Sequence, residues 1–322
     1  MSARHILVTG GAGFIGSHLV DHLLAEGHHV TVVDDLRTGS RDNVRPHAGN
    51  PAFTFIEADV VQPLGALLAD AVRAHGPVAR VAHLAAQISV PRSLDDPLED
   101  LRLNVGATLE VLRFAKATGV EQVVFSSSAA VYGDDVTQPV GEGATLAPIS
   151  PYGVHKLASE QHVRNHARAG LGGTSLRFFN VYGPRQDPKS PYAGVIGLFL
   201  DRALRGEPLT IFGDGQQTRD FVYVADVVRA IAAALGRPGR GESVNVGTGS
   251  RITVRELADG VLAATGSASA IAFGPAREGE IVDSCADIGR ARAVLSFEPR
   301  TEVAAGLALT ASWLRARLAG DR

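Results

Sequence analysis

The stretch His5-Ile6-Leu7-Val8-Thr9-Gly10-Gly11-Ala12-Gly13-Phe14-Ile15-Gly16 decides the fold of this 322-residue chain. Its apolar beginning predicts a buried strand, and glycines at three-residue intervals, Gly10, Gly13 and Gly16, then lead into a helical pattern. Because glycine has no Cβ, the backbone there can turn tightly and approach a pyrophosphate closely. The free N–H groups at the start of the helix would face the phosphate charge. The stretch therefore predicts a dinucleotide-binding site.

An acidic residue follows these glycines at the distance that such a site requires. Residues 29–34 read as a second strand ending in Asp34, about 20 residues beyond the glycines. A carboxylate there binds ribose hydroxyls and repels a 2′-phosphate, which favours NAD over NADP. The adjacent Asp35 could make the same contact, so the choice between them stays open. The glycine spacing alone also suits a strand-to-helix turn in another α/β protein, but the acid in register favours the dinucleotide site.

Strand and helix patterns alternate through the first half of the chain, which is typical of a parallel, doubly wound sheet. Further strands are predicted at residues 53–57, 80–84, 122–125 and 174–178, and helices at residues 64–75, 95–118 and 151–169. The helix over 95–118 places four apolar residues on one face: Leu101, Val105, Leu109 and Leu112. We therefore expect an α/β fold with a Rossmann-type doubly wound parallel sheet.

The regular alternation breaks beyond residue 180. Helices are predicted at 195–205, 226–235 and 303–318, and strands at 209–212 and 243–246. Thr253 and Glu256 have the spacing of a capping box. We expect a dinucleotide-binding domain over residues 1–179 and a smaller C-terminal α/β lobe over 180–322, with the substrate between them.

Composition and charge narrow the classes of partner. The net charge of −3 gives no electrostatic reason to expect binding to nucleic acid or to an anionic membrane. The single cysteine, Cys285, leaves no intrachain disulfide and fits a reducing compartment. The first strand begins almost at the N-terminus, without room for a signal peptide, and no uncharged apolar run approaches the length of a membrane span. We expect a cytoplasmic protein.

A second motif, Tyr152-Gly153-Val154-His155-Lys156, predicts a proton-transfer site. On a helix, Tyr152 and Lys156 share a face and would both point into the mouth of the cleft. A free tyrosine titrates near pH ~10, and a nearby ammonium together with a cationic nicotinamide would favour the phenolate. That phenolate could take a proton from a substrate hydroxyl. Ser128, at the end of a central strand, could hydrogen-bond the same oxygen.

These residues are where the chain resembles a known family. It is similar to the extended short-chain dehydrogenase/reductases, and most closely to the UDP-hexose 4-epimerases of the UDP-galactose and UDP-N-acetylglucosamine type. The resemblance covers almost the whole chain. It is carried by the segments 9–16, Ser126-Ser127-Ser128-Ala129-Ala130-Val131-Tyr132-Gly133, 152–156, Phe179-Asn180-Val181-Tyr182-Gly183-Pro184-Arg185-Gln186-Asp187-Pro188 and Thr218-Arg219-Asp220-Phe221.

The resemblance implies an NAD-dependent inversion at the sugar C4 through a 4-keto intermediate, with no net redox change. Tyr152 would deprotonate the 4-hydroxyl, Ser128 would hold its oxygen, and Lys156 would bind the nicotinamide ribose. The residues implied to contact NAD are Gly10, Gly13, Phe14, Ile15, Gly16, Asp34, Asp35, Asp59, Val60, Leu84, Ala85, Ala86, Gln87, Asn104, Ser126, Tyr152 and Lys156.

The same resemblance implies a UDP-sugar as the substrate. Its contacts would be Ser128, Tyr152, Asn180, Val195, Phe212, Arg219, Arg277, Glu280 and Ser284, with the two arginines binding the diphosphate. Members restricted to glucose and galactose tend to carry tyrosine at the position of Ser284. A small residue there implies room for an N-acetyl group. The resemblance also implies a homodimer, and a chain that crosses back to the first domain near residues 220–248.

Other functions remain as alternatives. UDP-glucuronate epimerases tend to carry threonine at the position of Asn180 and a basic residue at that of Asp187, so both departures argue against a uronate. Dehydratases and decarboxylases need a carboxylate beside the active serine, where this chain has Ala129 and Ala130. A non-catalytic NAD-sensing protein would usually lose Tyr152 or Lys156. No third ligand accompanies His162 and His166, so we expect no metal site.

Overall fold

The computed structural model describes residues 3–134, 136–187, 194–276 and 282–320. Its strands are β1 (His5–Thr9), β2 (His29–Asp34), β3 (Phe53–Glu57), β4 (Val78–His83), β5 (Gln122–Ser128), β6 (Gly172–Phe178), β7 (Asn180–Tyr182), β8 (Leu209–Phe212), β9 (Thr218–Arg219), β10 (Phe221–Tyr223), β11 (Arg240–Val246), β12 (Ile252–Thr253), β13 (Ile271–Gly274) and β14 (Asp283–Ser284). The helices are α1 (Phe14–Ala25), α2 (Arg41–Val44), α3 (Leu64–Leu67), α4 (Ala69–His75), α5 (Val90–Asp95), α6 (Pro97–Leu101), α7 (Ala107–Thr118), α8 (Pro151–Arg168), α9 (Val195–Arg205), α10 (Val224–Leu235), α11 (Val254–Thr265), α12 (Gly289–Leu295) and α13 (Val303–Gly320).

Seven of these strands form one parallel sheet in the order β11-β6-β5-β4-β1-β2-β3. The order reverses between β1 and β4, and such a reversal opens a crevice at the carboxyl ends of the strands. Helices cover both faces of the sheet, as a parallel sheet requires. Ile6 and Val8 of β1 pack in a cluster with α1, α10 and α12, whereas Leu7 packs with α3, α7 and α8. The predicted Rossmann-type fold is confirmed.

The C-terminal lobe has its own core. Helices α9, α11 and α13 surround buried residues such as Phe199, Leu257 and Leu314. Short strands pair beside them, β8 with β13 and β9 with both β12 and β14. The predicted capping box is present, since Thr253 Oγ1 accepts from the Glu256 N–H at 3.0 Å and Glu256 Oε2 accepts from the Thr253 N–H at 2.8 Å.

The chain does not stay within one lobe after residue 179. Strand β11 pairs with β6 and completes the main sheet, and α10 packs on that sheet. The return of the chain is therefore a feature of the topology. The division of the chain into 1–179 and 180–322 stays a prediction.

Two predicted helices are interrupted. The helix over 64–75 breaks at Leu68 into α3 and α4. The helix over 95–118 consists of α6, a π-helical segment at 102–106 and α7, because Asp96 caps a new helix that begins at Pro97. Its predicted apolar face is also wrong in part, since Leu101 and Leu109 are 43% and 44% exposed. Among the described residues, no helix combines the length and apolar character needed to cross a bilayer.

Candidate active site

A cavity of about 370 Å³ opens at the carboxyl ends of β1, β2 and β4. It is lined by every predicted NAD contact except Asn104. Asn104 is 2% exposed and lies behind the cavity wall, where its side chain accepts from the Gln87 N–H at 3.1 Å and donates to the Gln87 carbonyl at 3.0 Å. The structure therefore places Asn104 as a support for the Gln87 backbone, which does line the cavity.

The glycine-rich turn after β1 fits a pyrophosphate. Gly10 has a φ of +72°, and a Cβ there would lie 2.7 Å from the Ala85 nitrogen. A Cβ on Gly16 would lie 2.1 Å from the Gly10 carbonyl oxygen. The first turn of α1 lines the cavity, and no side chain caps it at Gly13. Uncapped N–H groups at a helix start attract an anion, so this turn can hold the phosphates of a dinucleotide.

Asp34 is fixed beside this turn. Its Oδ2 accepts from the Ala12 N–H at 2.9 Å, and its Oδ1 accepts from the Leu36 N–H at 2.8 Å. Burial raises the pKa of this carboxyl, and the two backbone hydrogen bonds act against that rise. Asp35 instead pairs with Arg37 at 3.2 Å. Both carboxylates line the cavity, but Asp34 is the one held against the glycine-rich turn.

Ion pairs surround the same end of the cavity. Arg37 lies 3.2 Å from Glu99 and 3.9 Å from Asp59, in addition to its contact with Asp35. Arg102 pairs with Asp59 at 3.0 Å. Arg37, which lines the cavity, is therefore surrounded by carboxylates. A 2′-phosphate would meet this negative charge, which agrees with the preference for NAD.

Ser128, Tyr152 and Lys156 meet where β5 ends and α8 begins. Ser150 caps α8, with its hydroxyl accepting from the Gly153 N–H at 3.2 Å, and this cap sets Tyr152 in the first turn. The Lys156 Nζ donates to the Ser126 carbonyl at 2.8 Å and lies 5.7 Å from the centre of the Tyr152 ring. The Ser128 side chain lies close enough to the Tyr152 phenol to influence its pKa. All three residues line the cavity.

Burial dominates the pKa values of this cluster. It raises the pKa of Tyr152 to about 12, although the hydrogen bond from Ser128 acts against the rise. It lowers the pKa of Lys156 to about 8, while the carboxylates of Asp100 and Glu160 oppose that fall. The protein's own residues therefore do not produce the predicted lowering of the Tyr152 pKa. The prediction also included the positive charge of a nicotinamide, which would favour the phenolate.

The sequence reasoning did not identify two buried carboxylates near Lys156. Asp100 of α6 accepts from Gln87 Nε2 at 2.5 Å, and its other oxygen lies 2.5 Å from His155 Nδ1. Glu160 of α8 pairs with Arg177 at 2.7 Å. A signal for the second pair was available, because Glu160 follows Lys156 by four residues on the same helix face and Arg177 lies inside a predicted strand between Leu176 and Phe178.

A second cavity, of about 340 Å³, lies in the C-terminal lobe beside the start of α9. Four predicted substrate contacts line it: Asn180, Val195, Phe212 and Arg219. Helix α9 begins after Gly194 with no side-chain cap. The Asn180 amide donates to the Asp220 carbonyl at 3.0 Å, and Arg219 Nη1 donates to the Thr218 carbonyl at 2.8 Å. An uncapped helix start next to a guanidinium suits a diphosphate.

A third cavity, of about 210 Å³, joins the two sites. Ser128 lies at its catalytic end, Asn180 and Arg219 border it on the substrate side, and Ser284 lines it as well. The structure thus brings together the serine of the proton-transfer cluster and the position predicted to set the size of the sugar pocket. Arg277 and Glu280 lie outside the described residues.

The sheet order, the glycine-rich turn, the acid after β2 and the Ser-Tyr-Lys cluster define a dinucleotide-dependent enzyme of the short-chain dehydrogenase/reductase class. Within that class, the chain belongs to the NAD dependent epimerase/dehydratase family, whose model matches residues 6–247. NAD is therefore its cofactor.

Curated and solved relatives agree with this assignment. A UDP-glucose 4-epimerase of Mycolicibacterium smegmatis is 42% identical over 96% of this chain and 98% of its own. The structure of a UDP-glucose 4-epimerase with UDP-glucose from Thermotoga maritima has a TM-score of 0.90 and 40% identity, covering 98% of this chain and 100% of the other. A UDP-N-acetylglucosamine 4-epimerase from Methanobrevibacter ruminantium, in complex with UDP-N-acetylmuramic acid, has a TM-score of 0.92 and 34% identity, with 98% and 100% covered.

The family also includes other chemistry. UDP-glucuronic acid decarboxylase 4 of Arabidopsis thaliana is 35% identical over 98% of this chain and 70% of its own length. The chain is thus an NAD-dependent enzyme similar to nucleotide-sugar 4-epimerases, within a family that contains decarboxylases too.

Proposed function

We propose that this protein is a UDP-hexose 4-epimerase, which interconverts UDP-glucose and UDP-galactose and also UDP-N-acetylglucosamine and UDP-N-acetylgalactosamine. The observation that carries the proposal is the position of the Ser128-Tyr152-Lys156 cluster. All three residues line the cavity that fits a dinucleotide, and Ser128 also lines the third cavity, which shares Asn180 and Arg219 with the cavity at the uncapped start of α9. A sugar held by its diphosphate in the C-terminal lobe would present its ring to this cluster.

In this proposal the residues of the first cavity hold the cofactor. The glycine-rich turn binds the pyrophosphate, Asp34 binds the adenosine ribose, and Lys156 binds the nicotinamide ribose. When bound, NAD would supply the hydride acceptor and a positive charge beside Tyr152. Lowering the Tyr152 pKa from about 12 toward neutral pH takes roughly 7 kcal/mol of differential stabilisation. The cationic Lys156 and the charge of the nicotinamide ring act in the same direction in a shielded cavity.

Tyr152 is the proposed general base and acid. Its phenolate takes the proton of the sugar 4-hydroxyl, and its phenol returns a proton when the 4-keto intermediate is reduced on the opposite face. The Ser128 hydroxyl holds the same oxygen throughout. Positioned proton transfer of this kind contributes about 10²- to 10⁴-fold to a rate.

The diphosphate is assigned to the lobe that carries α9. Arg219 and the N–H groups near Val195 supply positive charge and donors, and Asn180 lies between them and Ser128. Phe212 lines the part of the cavity proposed for the uracil ring. Arg277 and Glu280 complete the proposed set, as the second diphosphate arginine and the contact to the uridine ribose.

The range of sugars is assigned from the third cavity. Serine at position 284 leaves a space of about 210 Å³ that reaches Ser128. An acetamido group at the sugar C2 needs only a small part of this space, so both acetylated and free hexoses fit. This supports activity on both pairs of substrates.

The decarboxylase and dehydratase alternatives lack a suitable carboxylate beside Ser128. Ala129 and Ala130 follow it in the chain. Among the described residues that line the third cavity, Asp283 is the acidic one, and it pairs with Arg251 at 3.2 Å. Its partner Arg251 occupies this carboxylate, and no acidic residue follows Ser128 directly, which favours the 4-epimerase over either alternative.

We also propose a homodimer. Exposed apolar side chains cluster on α5, α6, α7 and the start of α8, namely Leu94, Leu98, Leu101, Leu109 and Val154. Helices α5, α6 and α7 each pack against α8, so these side chains belong to one surface. Contiguous exposed apolar surface marks an interaction site, and the family resemblance predicts a second copy of the chain as the partner.

Proton NMR of the purified protein tests this function. UDP-glucose, UDP-N-acetylglucosamine and UDP-glucuronate are supplied in separate tubes, first without added NAD. We expect a new anomeric signal of the 4-epimer in both neutral-sugar tubes and none in the uronate tube. Conversion of UDP-glucose alone would refute the role of Ser284. No conversion of any sugar after NAD is added would refute the epimerase and favour a non-catalytic NAD-sensing protein.

A further inference from the structure

Three consecutive serines at the end of β5 each contact a different residue on one face of α8. The Ser126 carbonyl accepts from Lys156 Nζ at 2.8 Å, and the Ser128 side chain lies beside the Tyr152 phenol, with both lining the cofactor cavity. Between them, the Ser127 hydroxyl donates to Glu160 Oε1 at 2.5 Å. Tyr152, Lys156 and Glu160 follow one another at four-residue spacing, so they lie along one line of the helix.

The carboxylate of Glu160 is fully occupied at this point. It is 2% exposed, and besides Ser127 it accepts from Arg177 Nε at 2.9 Å, from Arg177 Nη2 at 2.7 Å and from the Ser243 hydroxyl at 2.9 Å. The donors come from β5, β6 and β11. One side chain of α8 is therefore bonded to three neighbouring strands of the sheet.

Arg177 is itself immobilised. It is 1% exposed, and its Nη1 donates to the Tyr132 hydroxyl at 2.9 Å, which in turn donates to Asn245 Oδ1 at 2.6 Å. A bidentate guanidinium–carboxylate pair has a defined geometry. The position of Glu160 is thus set by a rigid network that extends from Ser127 of β5 to Tyr132 and Asn245.

We propose that Glu160 is a positioning residue of the active site, which holds α8 against β5 so that Tyr152 and Lys156 face Ser128 in register. It acts through Ser127, the residue between the two serine contacts, and not by touching the substrate. The inference rests on the proposed function, because it assigns the Ser-Tyr-Lys cluster to catalysis.

Glu160 also contributes charge. Two carboxylates face Lys156, those of Asp100 on α6 and Glu160 on α8. The Tyr152 phenol and the neutral imidazole of His83 also lie near it. His155 contacts Asp100. Both carboxylates favour the ammonium form of Lys156. Loss of the Glu160 charge would therefore deprotonate Lys156 at a lower pH, and a neutral lysine stabilises a phenolate less.

The test compares four variants with the wild type. Glu160→Gln removes the charge and keeps the shape. Glu160→Met combined with Arg177→Met removes both partners, which for a buried pair is often neutral for stability. Ser127→Ala keeps the ion pair and removes only the link to β5. Ser243→Ala is the matched control, since it removes a hydrogen bond to the same carboxylate on the side away from the cofactor cavity.

We expect Glu160→Gln and the double variant to lower kcat by about 10- to 100-fold with KM little changed, because misplacing a catalytic group costs that much. The alkaline limb of the kcat profile should move to lower pH by about one unit. Ser127→Ala should lower kcat by several-fold, and Ser243→Ala should stay within about twofold of the wild type. A folded double variant with wild-type kcat and pH profile would overturn the proposal, as would equal losses in Ser127→Ala and Ser243→Ala.

A second readout needs no turnover. Ultraviolet difference titration of the NAD-loaded protein, with Tyr152→Phe as background, reports the pKa of the Tyr152 phenol. We expect this pKa to be higher in Glu160→Gln than in the wild type and unchanged in Ser243→Ala. If the wild type converts no sugar but this shift is present, the proposed function is wrong and the positioning role stands. If the shift is absent in a folded variant, the positioning role is wrong whatever the activity.

Discussion

Tyr152 has the phenol whose ionisation the proposed chemistry requires, although its surroundings raise its pKa to about 12. Tyr152→Phe keeps the ring and removes the proton-transfer group. We expect kcat to fall by about 10²- to 10⁴-fold, with NAD content unchanged. Steady-state epimerisation and the absorbance of released cofactor measure both. Tyr223→Phe, a buried tyrosine of the C-terminal lobe, is the control and should retain activity. Equal losses in both variants would show that Tyr152 has no special role.

The buried imidazole of His83 makes the free energy of unfolding depend on pH. Its Nδ1 lies 2.8 Å from Thr9 Oγ1 and its Nε2 lies 3.2 Å from Thr108 Oγ1, and burial lowers its pKa to about 3. Below pH ~6.5 the unfolded chain binds a proton at this position that the folded protein does not bind. Stability is therefore lost progressively as the pH falls from about 6.5 toward 3.

Because of His83 alone, we expect the free energy of unfolding to be about 2 kcal/mol lower at pH 5 than at pH 7. Urea unfolding of the wild type and of His83→Gln at both pH values measures the cost. The variant should show a pH dependence smaller by about that amount, whatever its absolute stability. His5 and His18, whose pKa values are also lowered by burial, stay in both proteins and cancel in the difference. An unchanged pH dependence would contradict the assignment.

At the scale of elements, the turn between β1 and α1 determines whether the cofactor can bind. Gly10→Ala places a Cβ 2.7 Å from the Ala85 nitrogen in a left-handed conformation. We expect loss of bound NAD and a lower melting temperature. Gly27→Ala is a matched control, because its φ of +80° is equally unfavourable but a Cβ there meets nothing within 4 Å. It should cost about 1–2 kcal/mol and retain NAD. Similar cofactor loss in both variants would refute the steric argument.

Elements with a strong pattern could be predicted from the sequence, and short ones could not. The bounds of β2, β3, α9 and β8 agree with the prediction because each has an apolar pattern and clear ends. The strands β7, β9 and β10 have two or three residues, too few to show a period. The helix over 95–118 is interrupted first by the local cap at Asp96, ahead of Pro97, and then near Asn104, whose side chain contacts Gln87; apolar periodicity reports neither.

The candidate site, like the fold, could be predicted from the sequence only in part. Glycines and an acid at fixed spacing predict the cofactor cavity because the chemistry acts through neighbouring residues of one turn. The Glu160–Arg177 pair joins residues 17 positions apart on different elements. A charged residue inside a central strand of a parallel sheet indicates that a buried partner exists, but the identity of that partner depends on how α8 packs on the sheet.

For the whole molecule, the apolar surface on α5 to α8 predicts the oligomeric state. Leu98 belongs to this surface and is 77% exposed, so Leu98→Asp would bury a charge in the proposed dimer interface. We expect light scattering at micromolar concentration to give a dimer for the wild type and a monomer for the variant. Leu309→Asp, which changes an exposed leucine on α13, should remain dimeric. A monomeric wild type would remove the dimer proposal.

The return of the chain in β11 bears on synthesis as well as on architecture. The free edge of β6 can pair with β11 only after residues 240–246 have been synthesised, and these follow several elements of the second lobe in the chain. A nascent chain would therefore carry the uncovered edge of β6 from the end of that strand, at residue 178, until β11 is complete at residue 246. Uncovered edges pair with other chains. Premature termination between residues 180 and 240 would release fragments prone to aggregate, and the two lobes could not be separated by cutting the gene once.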